Sequence, residues 1–216
     1  MLEKMGEFFD NRLQGYEEHQ LTAIAGAEAF YPYTAGLLPP GEARVLDLGC
    51  GTGLELGYYF ERNPEAQVTG IDLAPGMLAA LREKFPDKRL ELVRGSYFDV
   101  PLGEGCFDAA VSVESLHHFT REEKTPLYRK VLAALKEDGY FVLTDYFAAS
   151  EKEERFFRHE LRRLKQEQNL PDGEFYHYDT PLTVAHEVEA LLDAGFASVR
   201  VLAQWANTSV LKAIKR

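Results

Sequence analysis

Val45-Leu46-Asp47-Leu48-Gly49-Cys50-Gly51-Thr52-Gly53 carries a short apolar strand straight into three alternating glycines, and an amphipathic segment follows at once. Glycines at such a point permit a sharp turn and let a ligand approach the backbone. The helix start that follows offers free N–H groups to a polar ligand. Asp72 ends the next apolar run about 20 residues beyond the loop, where an acidic side chain can take both hydroxyls of a ribose. The dinucleotide fingerprint G-x-G-x-x-G is not met: counted from Gly49 or from Gly51, its last glycine falls on Leu54 or Leu56. Asp47, just before the loop, is an awkward neighbour for a pyrophosphate and suits a ligand that brings positive charge.

Outward from the loop, short apolar runs alternate with amphipathic ones. Strands are expected at 43–48, 67–72, 89–94, 107–113 and 139–147, with helices at 54–62, 75–85 and 121–135. This alternation predicts a parallel sheet covered by helices on both faces, with ligands beyond the carboxyl ends of the strands. Residues 3–37 read as two helices, stopped by Pro39-Pro40-Gly41. The run 150–169 reads as a charged helix with Ser150 as its N-cap, and NLPDGEFYHYDTP (169–181) as a loop. A further helix is expected at 180–194, then a hairpin of strands at 197–203 and 208–214. The whole is expected to be a single domain, 1–216. It comprises a helical leader (1–40), a ligand-binding core (43–147), a cap insertion (150–180), and a C-terminal helix with its β-hairpin (181–216).

The 216 residues hold 24 Lys+Arg against 35 Asp+Glu, a net charge of −11. That charge repels phosphate backbones, so no nucleic-acid partner is expected. Two cysteines are too few for a disulfide framework, and no apolar run approaches the ~18 residues of a membrane span. The start of the chain lacks a basic segment followed by an apolar one, and a cytoplasmic location without membrane contact is expected.

A ligand with a sulfonium and an ammonium but no phosphate fits Asp47 and the glycine loop, and S-adenosyl-L-methionine is such a ligand. At these residues the chain resembles the class I S-adenosylmethionine-dependent methyltransferases. VLDLGCGTG (45–53) is similar to that family's first motif and GIDLAPGML (70–78) to its second. The likeness continues through GSYFDVPL (95–102), FDAAVSVESLHHF (107–119) and LKEDGYFVLTDYF (135–147). The resemblance implies a Rossmann-like, doubly wound α/β fold. Its seven-stranded sheet is mostly parallel with an antiparallel C-terminal strand, and a helical leader and helical cap are added. It implies methyl transfer by in-line displacement, with S-adenosylmethionine as cofactor and the collinear placement of the reacting atoms as the main source of rate. It also implies the contacts. Asp47, Gly49, Cys50, Gly51, Thr52 and Gly53 face the methionine part, Asp72 and Leu73 the ribose, and Met77, Ser96 and Tyr97 the adenine; the backbone of Val113 and Glu114 approaches the methionine amine. The family often has an acid where Ser96 stands; serine is shorter but still an acceptor.

On the acceptor side Tyr16, His118, Tyr146 and Tyr176 are the candidate substrate-facing residues. The plainer alternatives are that His117-His118 caps a strand and that the aromatics seal the leader and the inserted helix onto the sheet. Glu114, at a strand end, is either a general base or a residue positioned by its backbone beside the cofactor, and no side chain is assigned to catalysis. No H-x-x-x-H or H-x-H spacing supplies a third ligand, so no metal is expected. The run [DN]-P-P-[YF] of adenine- and amide-methylating relatives is absent, VESLHH standing in its place. That argues against those enzymes, and the acidic charge and single domain favour a small-molecule acceptor over nucleic acid. The 150–169 helix suits a lid, a homodimer contact or a plain surface helix. Three rivals remain: a transferase using a modified S-adenosylmethionine, signalled by an arginine beside the methyl position; a non-catalytic cofactor-binding module; and, weakest, a nicotinamide oxidoreductase.

Overall fold

The computed structural model describes residues 1–171 and 173–216; position 172 of the expected 169–181 loop lies outside them. Seven strands form one sheet: β1 (Arg44–Leu48), β2 (Gln67–Asp72), β3 (Arg89–Arg94), β4 (Phe107–Val113), β5 (Leu135–Tyr146), β6 (Ser198–Trp205) and β7 (Thr208–Ile214), in the order β3-β2-β1-β4-β5-β7-β6. The pairs β3–β2, β2–β1, β1–β4 and β4–β5 are parallel, whereas β7 runs antiparallel to both β5 and β6. This is the expected doubly wound α/β sheet with its antiparallel C-terminal strand.

Strands covered on both faces carry apolar residues at successive positions, and alternation sorts them into two cores. Val45, Val68, Ala109, Val111 and Val142 pack beneath α3 (Ala27–Gly36), α4 (Leu54–Arg62) and α5 (Pro75–Lys84). Leu46, Leu48, Ile71, Ala110, Phe141 and Leu143 pack on the other face with α6 (Arg121–Ala134) and α8 (Val184–Asp193). Two further helices lead the chain, α1 (Met5–Asp10) and α2 (Tyr16–Ala23), and α7 (Glu151–Glu167) follows β5.

Three expectations shift. The leader holds three helices instead of two, because Gly15 and Gly26 both take left-handed φ values and interrupt the helical run. β5 begins at Leu135, paired with Phe107 ahead of a bulge, so the strand starts directly where α6 ends. α8 begins at Val184 instead of 180, since Thr180 precedes a proline and the Thr183 hydroxyl caps the first turn by accepting from His186 N. Among the described residues no helix is long and apolar enough to cross a membrane.

Candidate functional site

From β1 the chain winds one way to β2 and β3 and then returns to β4 on the other side. The crevice of such a sheet opens beyond the carboxyl ends of β1 and β4. The glycine loop leaves β1 there, Asp72 ends β2, Glu114 follows β4, and Asp145 and Tyr146 end β5.

Two cavities meet at this edge. Eight of the inner one's lining residues are expected cofactor contacts: Gly49, Gly51, Asp72, Leu73, Met77, Tyr97, Val113 and Glu114. The other expected contacts do not line it. Asp47, Cys50 and Thr52 are buried, Gly53 packs toward Leu81 and Leu56, and the Ser96 hydroxyl accepts from Phe98 N at 3.2 Å. The outer cavity is larger and opens to solvent. Phe8, Arg12, His117, Tyr146, His177 and Asp179 are among its lining residues. Tyr16 and His118 line both cavities, as do Phe9 and Glu114. Tyr176 lines neither; it is buried, and its hydroxyl donates to Glu174.

The inner cavity fits an adenosyl amino acid. Neither carboxylate oxygen of the fully buried Asp47 has a hydrogen-bond partner, and burial together with the nearby Glu55 carboxyl pushes its pKa well up. An orphaned acid beneath the loop is the partner an ammonium needs. A Cβ built on Gly51 would come no nearer to any protein atom outside its own chain neighbours than 3.8 Å, to the Tyr16 hydroxyl, so the space above this glycine, on the inner cavity's wall, is open. Asp72 is held by backbone: its Oδ2 accepts from Gly51 N at 2.9 Å and its Oδ1 from Ala74 N at 2.8 Å. Each oxygen keeps a second lone pair for a ribose hydroxyl. Burial raises the Asp72 pKa, opposed by those two N–H groups.

Where the cavities join, Glu114 takes a φ of 50°, rare for a residue with a side chain and a mark of a site built under constraint. Its Oε1 accepts from the Thr208 hydroxyl at 3.0 Å, and burial pushes its pKa to about 7. Beside it His117 Nδ1 lies 2.5 Å from Asp145 Oδ1. Asp145 is itself fixed by Leu116 N at 2.9 Å and Tyr146 N at 3.0 Å. Burial works against a charged His117, but Asp145, Asp179 and Glu114 outweigh it and hold its pKa at about 9. His118 moves the other way through burial and the neighbouring His117, and burial and His118 take His177 down to about 4. Asp179 reaches both histidines of the pair, with Oδ1 at 3.1 Å from His118 Nδ1 and 3.5 Å from His117 Nε2. Burial opposes its charge, but these histidines hold its pKa far below the usual carboxylate range.

The leader and the 174–177 loop close the site together. Lys4 and Tyr176 form an antiparallel bridge, Met5 N donates to Phe175 O at 3.0 Å, and His177 N donates to Glu3 O at 2.9 Å. Phe8 stacks on His177 with ring centroids 3.4 Å apart, and Asp10 Oδ1 accepts from Gly76 N at 2.8 Å, fastening α1 over α5. No described residue of α7 lines either cavity. Instead α7 braces the cover from behind, Phe157 against Tyr178 and Glu154 accepting from Thr183 N. Sequence reasoning missed Met5 and Phe9 in the inner cavity and Asp179 in the outer one; His177 belongs to the aromatic run 175–178 that the sequence does point to as a pocket lining. The aromatic pair in FFD and the polar HYD before Thr180-Pro181 were the available signals.

A model of a methyltransferase domain matches residues 45–139. The chain is 28% identical to a malonyl-[acyl-carrier protein] O-methyltransferase of Acetivibrio thermocellus, over 60% of this chain and 45% of that protein. It spans half or less of the length of that relative and of others it matches. A carboxy-S-adenosyl-L-methionine synthase of Wolinella succinogenes is 27% identical over 96% of this chain and 92% of its own. In fold, the chain is similar to an S-adenosylmethionine-dependent methyltransferase from Mesorhizobium loti, with a TM-score of 0.62 and 24% identity over 85% of this chain and 96% of that one.

Proposed function

We propose that this chain is a class I S-adenosylmethionine-dependent methyltransferase and that it methylates a small-molecule acceptor held in its outer cavity. The observation that carries this reading is the junction: Phe9, Tyr16, Glu114 and His118 line both cavities, so a group in one meets a group in the other there. Asp47, the glycine loop and Asp72 are the residues that would hold the cofactor, which supplies an electrophilic methyl on a sulfonium. Tyr16 and Phe9 exclude water from the junction, and Glu114, fixed by Thr208, is the carboxylate placed to take the acceptor's proton. The negative net charge and the aromatic lining of the outer cavity support a small acceptor over nucleic acid. Titration calorimetry with S-adenosylhomocysteine tests the cofactor half of this reading. One site per chain is expected, and no binding would overturn it.

A second reading is favoured by the near full-length similarity to a carboxy-S-adenosyl-L-methionine synthase: that the chain makes or uses a carboxylated cofactor. A carboxylate on the methyl carbon calls for a cation beside it. Among the described residues lining the two cavities the only arginine is Arg12, which pairs with Glu3 at 2.8 Å and lies over the Phe8 ring. The mass of the cofactor recovered from protein purified without added ligand separates the readings: methyl transfer expects the ordinary cofactor or its demethylated product, the second reading a carboxylated one.

A further inference from the structure

We propose that His117, His118 and Asp179 form a binding site for a divalent transition-metal cation on the acceptor side of the junction. Their ligand atoms all lie within 4.8 Å of one another. Asp179 Oδ1 stands 3.1 Å from His118 Nδ1 and 3.5 Å from His117 Nε2. Ligand atoms on neighbouring corners of a tetrahedron with bonds of ~2.0–2.1 Å sit ~3.3 Å apart, so a cation fits among the three with small side-chain adjustments. Two imidazoles and one carboxylate are the donor set of borderline divalent metals and leave coordination positions open.

The surroundings agree with a metal more closely than with a chance ion pair. Asp145 holds His117 Nδ1 and is itself anchored by two backbone N–H groups. This turns the ring so that Nε2 faces Asp179 and the cavity, the arrangement in which a carboxylate orients a metal-ligating histidine. Thr180 N donates to His117 O at 2.8 Å, tying the segment that bears Asp179 to the one that bears the histidines. Glu114 and Asp179 line the outer cavity, and the buried Asp145 lies against His117. Among the described residues lining the outer cavity the only lysine or arginine is Arg12, already engaged by Glu3.

The open positions of such a metal face the cavity where the acceptor enters. A metal there would supply positive charge that acidifies an acceptor hydroxyl, and Glu114 is the carboxylate placed to take the proton released when that O–H bond breaks. This role rests on the methyl-transfer reading, whereas cation binding itself does not.

The test uses the full chain, stripped with a chelator and dialysed, titrated with cobalt(II) alone and followed by visible absorption and by calorimetry. One cobalt per chain is expected, with absorption bands of nitrogen and oxygen ligation. His118→Gln and Asp179→Asn, each checked for an unchanged circular dichroism spectrum, are expected to lose at least ~100-fold in affinity, whereas His159→Gln on the exposed face of α7 keeps wild-type affinity. No saturable binding to the wild-type chain overturns the site, as does equal binding by the wild-type chain and by whichever of the two ligand variants folds. Calorimetry with S-adenosylhomocysteine on the same preparations keeps the two ideas apart. Cobalt failing with intact homocysteine-analogue binding removes the metal alone, and the reverse removes the cofactor reading alone.

Discussion

Gly49 and Gly51 stand two positions apart in one loop and meet different neighbours. A Cβ on Gly49 would lie 2.1 Å from the Ser115 hydroxyl oxygen, inside the protein, while one on Gly51 would enter the ligand space. Gly51→Val is therefore expected to stay folded, with some strain from its φ of 48°, and to lose S-adenosylhomocysteine binding; circular dichroism and calorimetry read the two effects separately. Asp72→Ala removes the acceptor at the ribose end and should weaken binding by ~1.5–3 kcal/mol, roughly tenfold to a hundredfold. Glu114→Gln keeps the shape of the side chain and an acceptor for Thr208. It should leave cofactor affinity unchanged and lower kcat by ~10²–10⁴, with KM nearly constant, if this carboxylate takes the proton. Gly51 and Asp72 could be singled out from sequence because a strand, three glycines and a distant acid have a local pattern. Glu114 could not be separated from a backbone role, since its positive φ and its place between two cavities exist only in the fold.

Among the elements, α1 and the 174–177 loop cover the site as one unit, joined by a bridge, backbone hydrogen bonds, the exposed Lys4–Glu174 ion pair and the stacking of Phe8 on His177. A cover at the chain's start, held mostly by surface contacts, should open ahead of the core and tighten when the inner cavity fills. Bound S-adenosylhomocysteine should slow amide hydrogen exchange at Tyr16 and at 175–178, and leave 157–164 on α7 unchanged. The charged α7 reads as a lid in sequence because its apolar stripe is narrow and it follows the fifth strand. In the fold that stripe leans on the cover loop instead, as Phe157 does on Tyr178. The opposite face of the molecule depends on α6 and α8. Lys124 and Tyr128 both donate to Glu187, and the Lys124 and Glu187 side chains are each only 1% exposed. Glu187→Ala strands a buried ammonium and should cost about 3–5 kcal/mol in denaturant unfolding. Lys124→Met, Tyr128→Phe and Glu187→Leu together should recover most of that, because the attraction within the pair chiefly offsets its own desolvation and no buried hydroxyl is left without its acceptor.

In the whole molecule, the part readable from sequence is the part built from repeating local units. Each strand and helix of the cofactor half carries its own period and its own turn. β2, β3, β4 and α4 accordingly run between the expected residues. The acceptor side has no such grammar. Its wall is assembled from the leader, the segment after β4 and the loop after α7, and none of the three has a spacing that announces the others. The local search for a third metal ligand beside His117-His118 finds none for the same reason: Asp179 reaches the pair across the fold. The central claim is that a methyl group leaves a cofactor in the inner cavity for a small acceptor in the outer one. It is tested most directly by incubating the purified chain with methyl-labelled S-adenosylmethionine and a small-molecule extract, then identifying labelled products by mass. The account predicts a labelled compound of low mass that forms with the wild-type chain, falls with Glu114→Gln and disappears with Gly51→Val. An unlabelled extract from a chain that binds S-adenosylhomocysteine, or label unaffected by both substitutions, would contradict it.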